Sequence, residues 1–221
     1  MKIIITGVTG MVGEGVLHEC TLREDIKEIL ILSRKPAGIN HPKVKEVLVK
    51  GFYNLSDIES QLLGYDGCLF CLGTTSVGKT DEEFYKISYT LTMSLANTLV
   101  RISPNMTFCY ISGSGTDSSE KGRLAWARTK GKVENDLIKL PFKDVYNFRP
   151  GYLHPTPSMK NTLSYYKYFS WLYPVVKVIM PNFVSKLSDL GQAMINACAK
   201  GYEKQILEVE DILILAKRAT T

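Results

Sequence analysis

Short apolar runs alternate with amphipathic segments along the first 150 residues. The runs predict strands at about 2–6 (Ile3-Ile4-Ile5), 28–33, 44–49, 67–72, 106–111 and 144–148. Residues 44–49 alternate as a half-exposed strand should, whereas Gly67-Cys-Leu-Phe-Cys-Leu72 is apolar throughout, the mark of a central parallel strand. Between the strands, helical spacing takes over. Val12, Val16 and Cys20 share one face of a helix running from 11 into the low twenties, with His18 off the stripe. A short helix covers about 55–63. A long one covers 81–102, with Phe84, Ile87, Leu91, Leu95 and Leu99 as its apolar stripe and Pro104 beyond its end. A further helix covers 122–139. The order βαββαβαβαβ predicts a parallel sheet with helices on both faces.

After Tyr152 the texture changes. His154-Pro155-Thr156-Pro157 reads as a loop, and 163–183 is rich in apolar and aromatic residues. Lys167, Lys177, Pro174 and Pro181 argue against a membrane span, which needs ~20 mostly uncharged residues. The segment reads instead as a helical lobe over a cleft, or as an interaction face. Ser188-Asp189 caps a helix to about 199, and 206–215 predicts one or two late strands. The chain reads as a single domain over 1–221, with 152–203 as a substrate or interaction lobe and no repeats or linker.

Composition narrows the partners. The chain has 27 Lys and Arg against 22 Asp and Glu, a net charge of +5 spread along its length. That suits an anionic small ligand and does not call for nucleic acid. The amino terminus has too few apolar residues before Thr6-Gly7 for a signal peptide. Five cysteines without framework spacing predict a reducing, cytoplasmic setting. Cys68 and Cys71 match C-x-x-C. At i and i+3 of a strand they point to opposite faces, so no metal or redox pair is expected.

The candidate chemistry starts at Gly7-Val8-Thr9-Gly10-Met11-Val12-Gly13, between a strand and a helix. Gly7 lets the turn close, Gly10 lets backbone N–H groups approach a pyrophosphate, and Gly13 lets helix and strand pack closely. The helix N-terminus favours the anion. A dinucleotide is the expected ligand, although the spacing is one residue wider at its first gap than G-x-G-x-x-G. No acid follows at the end of the second strand, where an NAD site grips the ribose 2′-hydroxyl. Ser33-Arg34-Lys35 stands there, and two cations suit a 2′-phosphate. NADP is therefore expected over NAD. Leu72-Gly73-Thr74 ends the central strand with small residues that leave room for a ligand.

The fingerprint, Ser33-Arg34, the serine-bearing end of the fifth strand, Lys130 on the following helix and Arg149-Pro150-Gly151 together resemble the short-chain dehydrogenase/reductase superfamily. The closest likeness is to its atypical or extended branch of NAD(P)-dependent epimerase/dehydratase-like proteins. The resemblance covers about 1–155. It implies a Rossmann-type doubly wound parallel sheet with a small, mostly helical C-terminal lobe, a small-molecule substrate, and a monomer or homodimer. It also implies cofactor contacts from Gly7, Thr9, Gly10, Met11, Val12, Gly13, Ser33, Arg34, Lys35, Leu72, Gly73, Thr74, Lys130, Pro150, Gly151 and Tyr152. In catalytic members a Ser, a Tyr and a Lys act together. Ser114 matches the serine, with Ser112 as the other candidate, and Lys130 matches the lysine. The tyrosine position holds Trp126, whose indole donates a hydrogen bond but does not titrate near neutral pH. An oxidoreductase or epimerase-like enzyme is expected, with a non-catalytic NADP(H)-binding sensor or scaffold as the alternative. Tyr152 and His154 lie where another proton donor would stand, and Arg123 and Arg128 flank Trp126 as candidate anion binders. Tyr173 and Lys177 also match Y-x-x-x-K, but on the wrong element.

Overall fold

Ile3, Ile4 and Ile5 are all fully buried, so their strand is covered on both faces. The computed structural model describes residues 1–156, 159–161 and 183–218. The chain runs β1 (Lys2–Thr6), α1 (Met11–Leu22), β2 (Glu28–Ser33), β3 (Val44–Leu48), a 3-10 segment (Ser56–Leu62) and β4 (Gly67–Phe70). It continues with α2 (Asp81–Tyr85), a π-helical turn (Lys86–Thr90), α3 (Leu91–Ile102), β5 (Thr107–Ile111), α4 (Ala125–Ile138) and β6 (Asp144–Phe148). The last elements are β7 (Tyr152–His154), β8 (Val184–Lys186), α5 (Leu187–Lys200), β9 (Ile206–Leu207) and α6 (Val209–Ala216).

Seven strands form one parallel sheet in the order β3-β2-β1-β4-β5-β6-β9. The order reverses between β1 and β4, which opens a crevice at their carboxyl ends. On one face Ile3, Ile5, Ile29 and Ile31 pack with Val16 and Cys20 of α1 and with Leu187, Leu190 and Met194 of α5. On the other, Ile4, Leu30, Phe70 and Phe108 pack with Leu95 and Leu99 of α3 and Val133 and Leu137 of α4. Cys68 of β4 belongs to the second cluster, and Cys71, one residue past β4, packs against the first. The α1–α5 crossing depends on glycines. A methyl on Gly15 would collide with Leu187, and one on Gly191 would meet Glu19 Cγ at 2.7 Å.

Several expectations are corrected. The stretch 206–215 is mostly helix: β9 has two residues, and Glu208 N–H donates to Asp211 Oδ2 (3.2 Å) as α6 begins. Tyr152 to His154 is not loop but a short strand pairing in parallel with β8. The long helix at 81–102 is interrupted by the π-turn, where Tyr85 and Tyr89 stack at 4.7 Å. The helix expected from 122 starts at Ala125, because Asp117 accepts from Ser119 N–H and Gly122 N–H and closes a loop first. The helix expected to be capped at Ser188 starts at Leu187, with Asp189 accepting from Lys186 N–H (3.0 Å). Most of 163–183, including Tyr173 and Lys177, lies outside the described residues. Among the described residues no helix is long and apolar enough to cross a membrane.

Candidate functional site

The Gly7 turn follows β1 at the reversal of strand order. Gly7 has φ +72°, and a methyl there would sit 2.6 Å from the Cys71 carbonyl. A methyl on Gly13 would collide with the Gly7 carbonyl. Both glycines are therefore needed by the fold. Gly10 differs. Its φ of −104° is open to any residue, and among the described residues an added methyl would meet only Gly7 O, at 3.4 Å. Gly10 and Thr9 are exposed, and α1 starts with no side-chain cap. Its first N–H groups thus keep their anion-binding capacity, with clear space above Gly10. The pocket wall is tied across strands, since Leu72 N–H donates to Thr6 Oγ1 (3.2 Å). Gly73 has open space around it, and Thr74 is half-buried. These features fit a dinucleotide pyrophosphate.

Met11 is buried in the sheet-face core and Val12 is packed against it, so both shape the turn from beneath. In the first turn of α1, Glu14 accepts from Lys160 N–H (2.8 Å) and Asn161 N–H (2.7 Å). That carboxylate pins a late segment beside the glycine turn.

At the other end of the crevice, the loops after β5 and β6 interlock. Ser112 N–H donates to Phe148 O (2.8 Å) and Ser114 N–H to Pro150 O (3.0 Å). The Ser112 hydroxyl is buried and shares a hydrogen bond with Thr116 (2.9 Å), whereas Ser114 is more open. Lys130 Nζ donates to the carbonyls of Ile111 (3.2 Å) and Ser112 (3.1 Å) and lies 5.4 Å from the Tyr110 ring centre. Burial lowers its pKa to about 8, against an opposing pull from Glu134. The Trp126 indole edge, Cη2, is 3.5 Å from where a methyl on Gly115 would lie, so the ring leans on the serine loop. Lys130, Ser114, Trp126 and Pro150 are thus gathered around one loop.

Arg149 is taken up internally. It holds Glu134 through Nε (2.9 Å) and Nη2 (2.5 Å), Glu208 through Nη1 (3.1 Å) and Ser118 through Nη2 (2.5 Å). A methyl on Gly151 would collide with Phe183 O, so this glycine lets the strand pair β7–β8 begin. Tyr152 and His154 are half-buried in β7, and burial together with the nearby Lys186 charge holds His154 below its usual range. Arg128 donates to the carbonyls of Gly122 (2.8 Å) and Arg123 (3.0 Å), which commits it to the loop before α4. It also lines a groove of about 350 Å³ with Asp81, Glu82, Tyr85 and Lys132, on a different face of α4 from Lys130.

Arg34 and Lys35 are exposed beyond β2, and Ser33 is buried. Sequence reasoning found no acid here, yet one is present in space. Glu46 of β3 brings Oε1 to 2.8 Å from Ser33 Oγ and 2.9 Å from Ala37 N. Its signal was the alternation of β3, which places Val44, Glu46 and Leu48 on one face beside β2. No cluster of His, Cys, Asp or Glu able to hold a metal occurs among the described residues.

No protein-family model matches the chain. It is 27% identical over 218 residues to Protein FMP52, mitochondrial, of Candida albicans, covering 93% of this chain and 91% of that protein. It is 29% identical over 157 residues to the protein of the same name from Meyerozyma guilliermondii, covering 69% of this chain and 65%, just under two thirds, of that relative. These names correct the cytoplasmic expectation, since the relatives are mitochondrial proteins. Cysteine usage reports a redox environment, and more than one compartment shares a reducing one. Among solved structures, a short-chain dehydrogenase/reductase of Saccharomyces cerevisiae has a TM-score of 0.67 at 14% identity, over 95% of this chain and 96% of that one. UDP-glucuronic acid 4-epimerase of Bacillus cereus, in complex with UDP-glucuronic acid and NAD, has a TM-score of 0.65 at 12% identity, over 95% and 77%. The strand order, the glycine turn at its reversal and these structural likenesses agree: the chain has the Rossmann-type fold shared by these short-chain dehydrogenase/reductase and epimerase structures.

Proposed function

We propose that the chain binds NADP(H) along this crevice and acts as an oxidoreductase or epimerase-like enzyme on a small substrate. The observation that carries the reading is Gly10: the fold does not require a glycine there, and space above an uncapped helix N-terminus does. Thr9, Gly10, Met11, Val12 and Gly13 would hold the pyrophosphate, and Arg34 and Lys35 the 2′-phosphate. Leu72, Gly73 and Thr74 would line the middle of the site, and Lys130, Pro150, Gly151 and Tyr152 its far end. When bound, a nicotinamide dinucleotide supplies hydride transfer. Ser114 would donate a hydrogen bond to the substrate oxygen. Trp126 would shield the site from water; its indole N–H can donate a hydrogen bond but does not titrate near neutral pH. Lys130, with a pKa near 8, can hold or release a proton at Nζ in the range where acid–base catalysis is efficient. Residues 152–203 would supply the substrate side.

Trp126 also favours a second reading, a non-catalytic NADP(H)-binding sensor or scaffold, because its ring stands beside Ser114–Gly115 where a titratable hydroxyl would serve catalysis. Two measurements decide. Fluorescence titration should give tighter binding of NADPH than NADH, and Arg34→Asp should weaken NADPH at least roughly tenfold, the scale of one charge-assisted contact, with little change for NADH. Equal losses for both would refute the NADP assignment. NADPH oxidation over a panel of carbonyl substrates, abolished by Lys130→Met, supports the enzyme; tight binding with no turnover on any substrate supports the sensor.

A further inference from the structure

We propose that Glu46 is the positioning residue that gives the crevice its preference for a 2′-phosphate. The inference rests on the dinucleotide reading above and adds to it a residue from a neighbouring strand. Ser33 Oγ lies 2.8 Å from both Glu46 Oε1 and the Lys35 carbonyl, so its proton serves two acceptors. Ala37 N–H donates to the same Glu46 oxygen at 2.9 Å. Glu46 therefore closes the segment 33–37 from both ends, at Ser33 and at Ala37. Within that closed loop Arg34 and Lys35 have nowhere to go but outward, and both are exposed.

Glu46 Oε1 is filled by two protein donors, Ser33 Oγ and Ala37 N–H, and is not left open to a ribose hydroxyl. Glu46 thus organises cations instead of reading the ribose. Arg34, Lys35 and Glu46 together keep a charge of +1 at this end of the crevice, the sign a phosphate requires. Holding two flexible cationic side chains on a closed loop lowers the ordering cost of binding. The position is also well suited to a pure specificity role. Glu46 is exposed on β3, at the edge of the sheet, so little of the core depends on it.

The test is calorimetric titration of NADPH and NADH into the full chain and two variants. Glu46→Ala is expected to weaken NADPH roughly tenfold, as expected for a lost charge-assisted hydrogen bond, while NADH changes less than about threefold. Glu46→Gln keeps an acceptor oxygen and is expected to restore NADPH binding to within about threefold of the parent. Equal losses of both nucleotides in Glu46→Ala, or no loss, overturn the proposal. So does NADPH binding more tightly to Glu46→Gln than to the parent, because the carboxylate would then be a repulsive neighbour. If the parent chain binds neither nucleotide, the dinucleotide reading itself fails, which is distinct from a parent that binds NADPH and variants that match it.

Discussion

Gly10 and Gly13 are three residues apart and answer to different masters. Gly13 has no room for a side chain, because the Gly7 carbonyl occupies the place a methyl would take. Gly13→Ala should cost about 1–3 kcal/mol or more in urea unfolding, the range for overpacking a tight contact. Gly10→Ala should change stability by less than about 1 kcal/mol, yet weaken dinucleotide binding in the same titrations. A second residue-level test concerns pH. Burial opposes the charge on Asp136, but hydrogen bonds from Lys132, Lys139 and Tyr89 outweigh it and hold its carboxyl down to about 2. A folded pKa below the unfolded value gives stability that is present above about pH 4 and lost as the pH falls toward 2. Asp136→Asn should remove on the order of 1 kcal/mol at pH 7, allowing for solvent screening, and flatten the acid limb of a stability–pH profile.

At the scale of elements, the α1–α5 crossing is the tightest feature. Gly15 and Gly191 allow the helices to meet, and Arg23 reaches across to Gln192 (2.9 Å) and Asn196 (2.9 Å). Gly15→Leu should destabilise by about 1–3 kcal/mol or more in chemical denaturation, because Leu187 stands in the way. Elements with a strong period were legible from the chain alone. The six principal strands and the helices between them were expected within a few residues of where they lie, since burial leaves mostly apolar runs in the inner strands and β3, at the sheet edge, alternates. The pair β7–β8 was not legible. Each strand has three residues, and each depends on a partner some thirty positions away. Residues 206–215 were misread because Ile206, Leu207, Ile212, Ile214 and Leu215 are residues a strand favours; the Glu208–Asp211 cap, a local signal, decides for helix. Glu46 was missed for a related reason. The acid was sought next in sequence after β2, while the sheet supplied it from the adjacent strand.

At the scale of the molecule, all the candidate site loops leave the carboxyl ends of β1, β2, β4, β5 and β6, one edge of a single parallel sheet. A doubly wound parallel sheet could be expected from the alternation of elements, because strands joined by helical crossovers pair in parallel. The polar ties that fix the loops could not, since they join residues far apart in sequence. Arg149 connects β6 to Glu134 of α4, to Glu208 before α6 and to Ser118.

The two faces of the sheet are also finished at different times. Among the described residues, the α3–α4 face is complete once Val145 of β6 has been made. The face under Ile3, Ile5, Ile29 and Ile31 waits for α5, whose Leu187, Leu190 and Met194 close it. At synthesis rates of about 5–20 residues per second, the interval between β6 and the end of α5 lasts on the order of several seconds. During that time the growing chain carries a formed nucleotide turn on a sheet with half of one greasy side bare. A ribosome stalled there would hold a chain in need of a chaperone, and a stop codon ahead of α5 would leave the first glycine turn intact on a sheet whose apolar face stays partly uncovered.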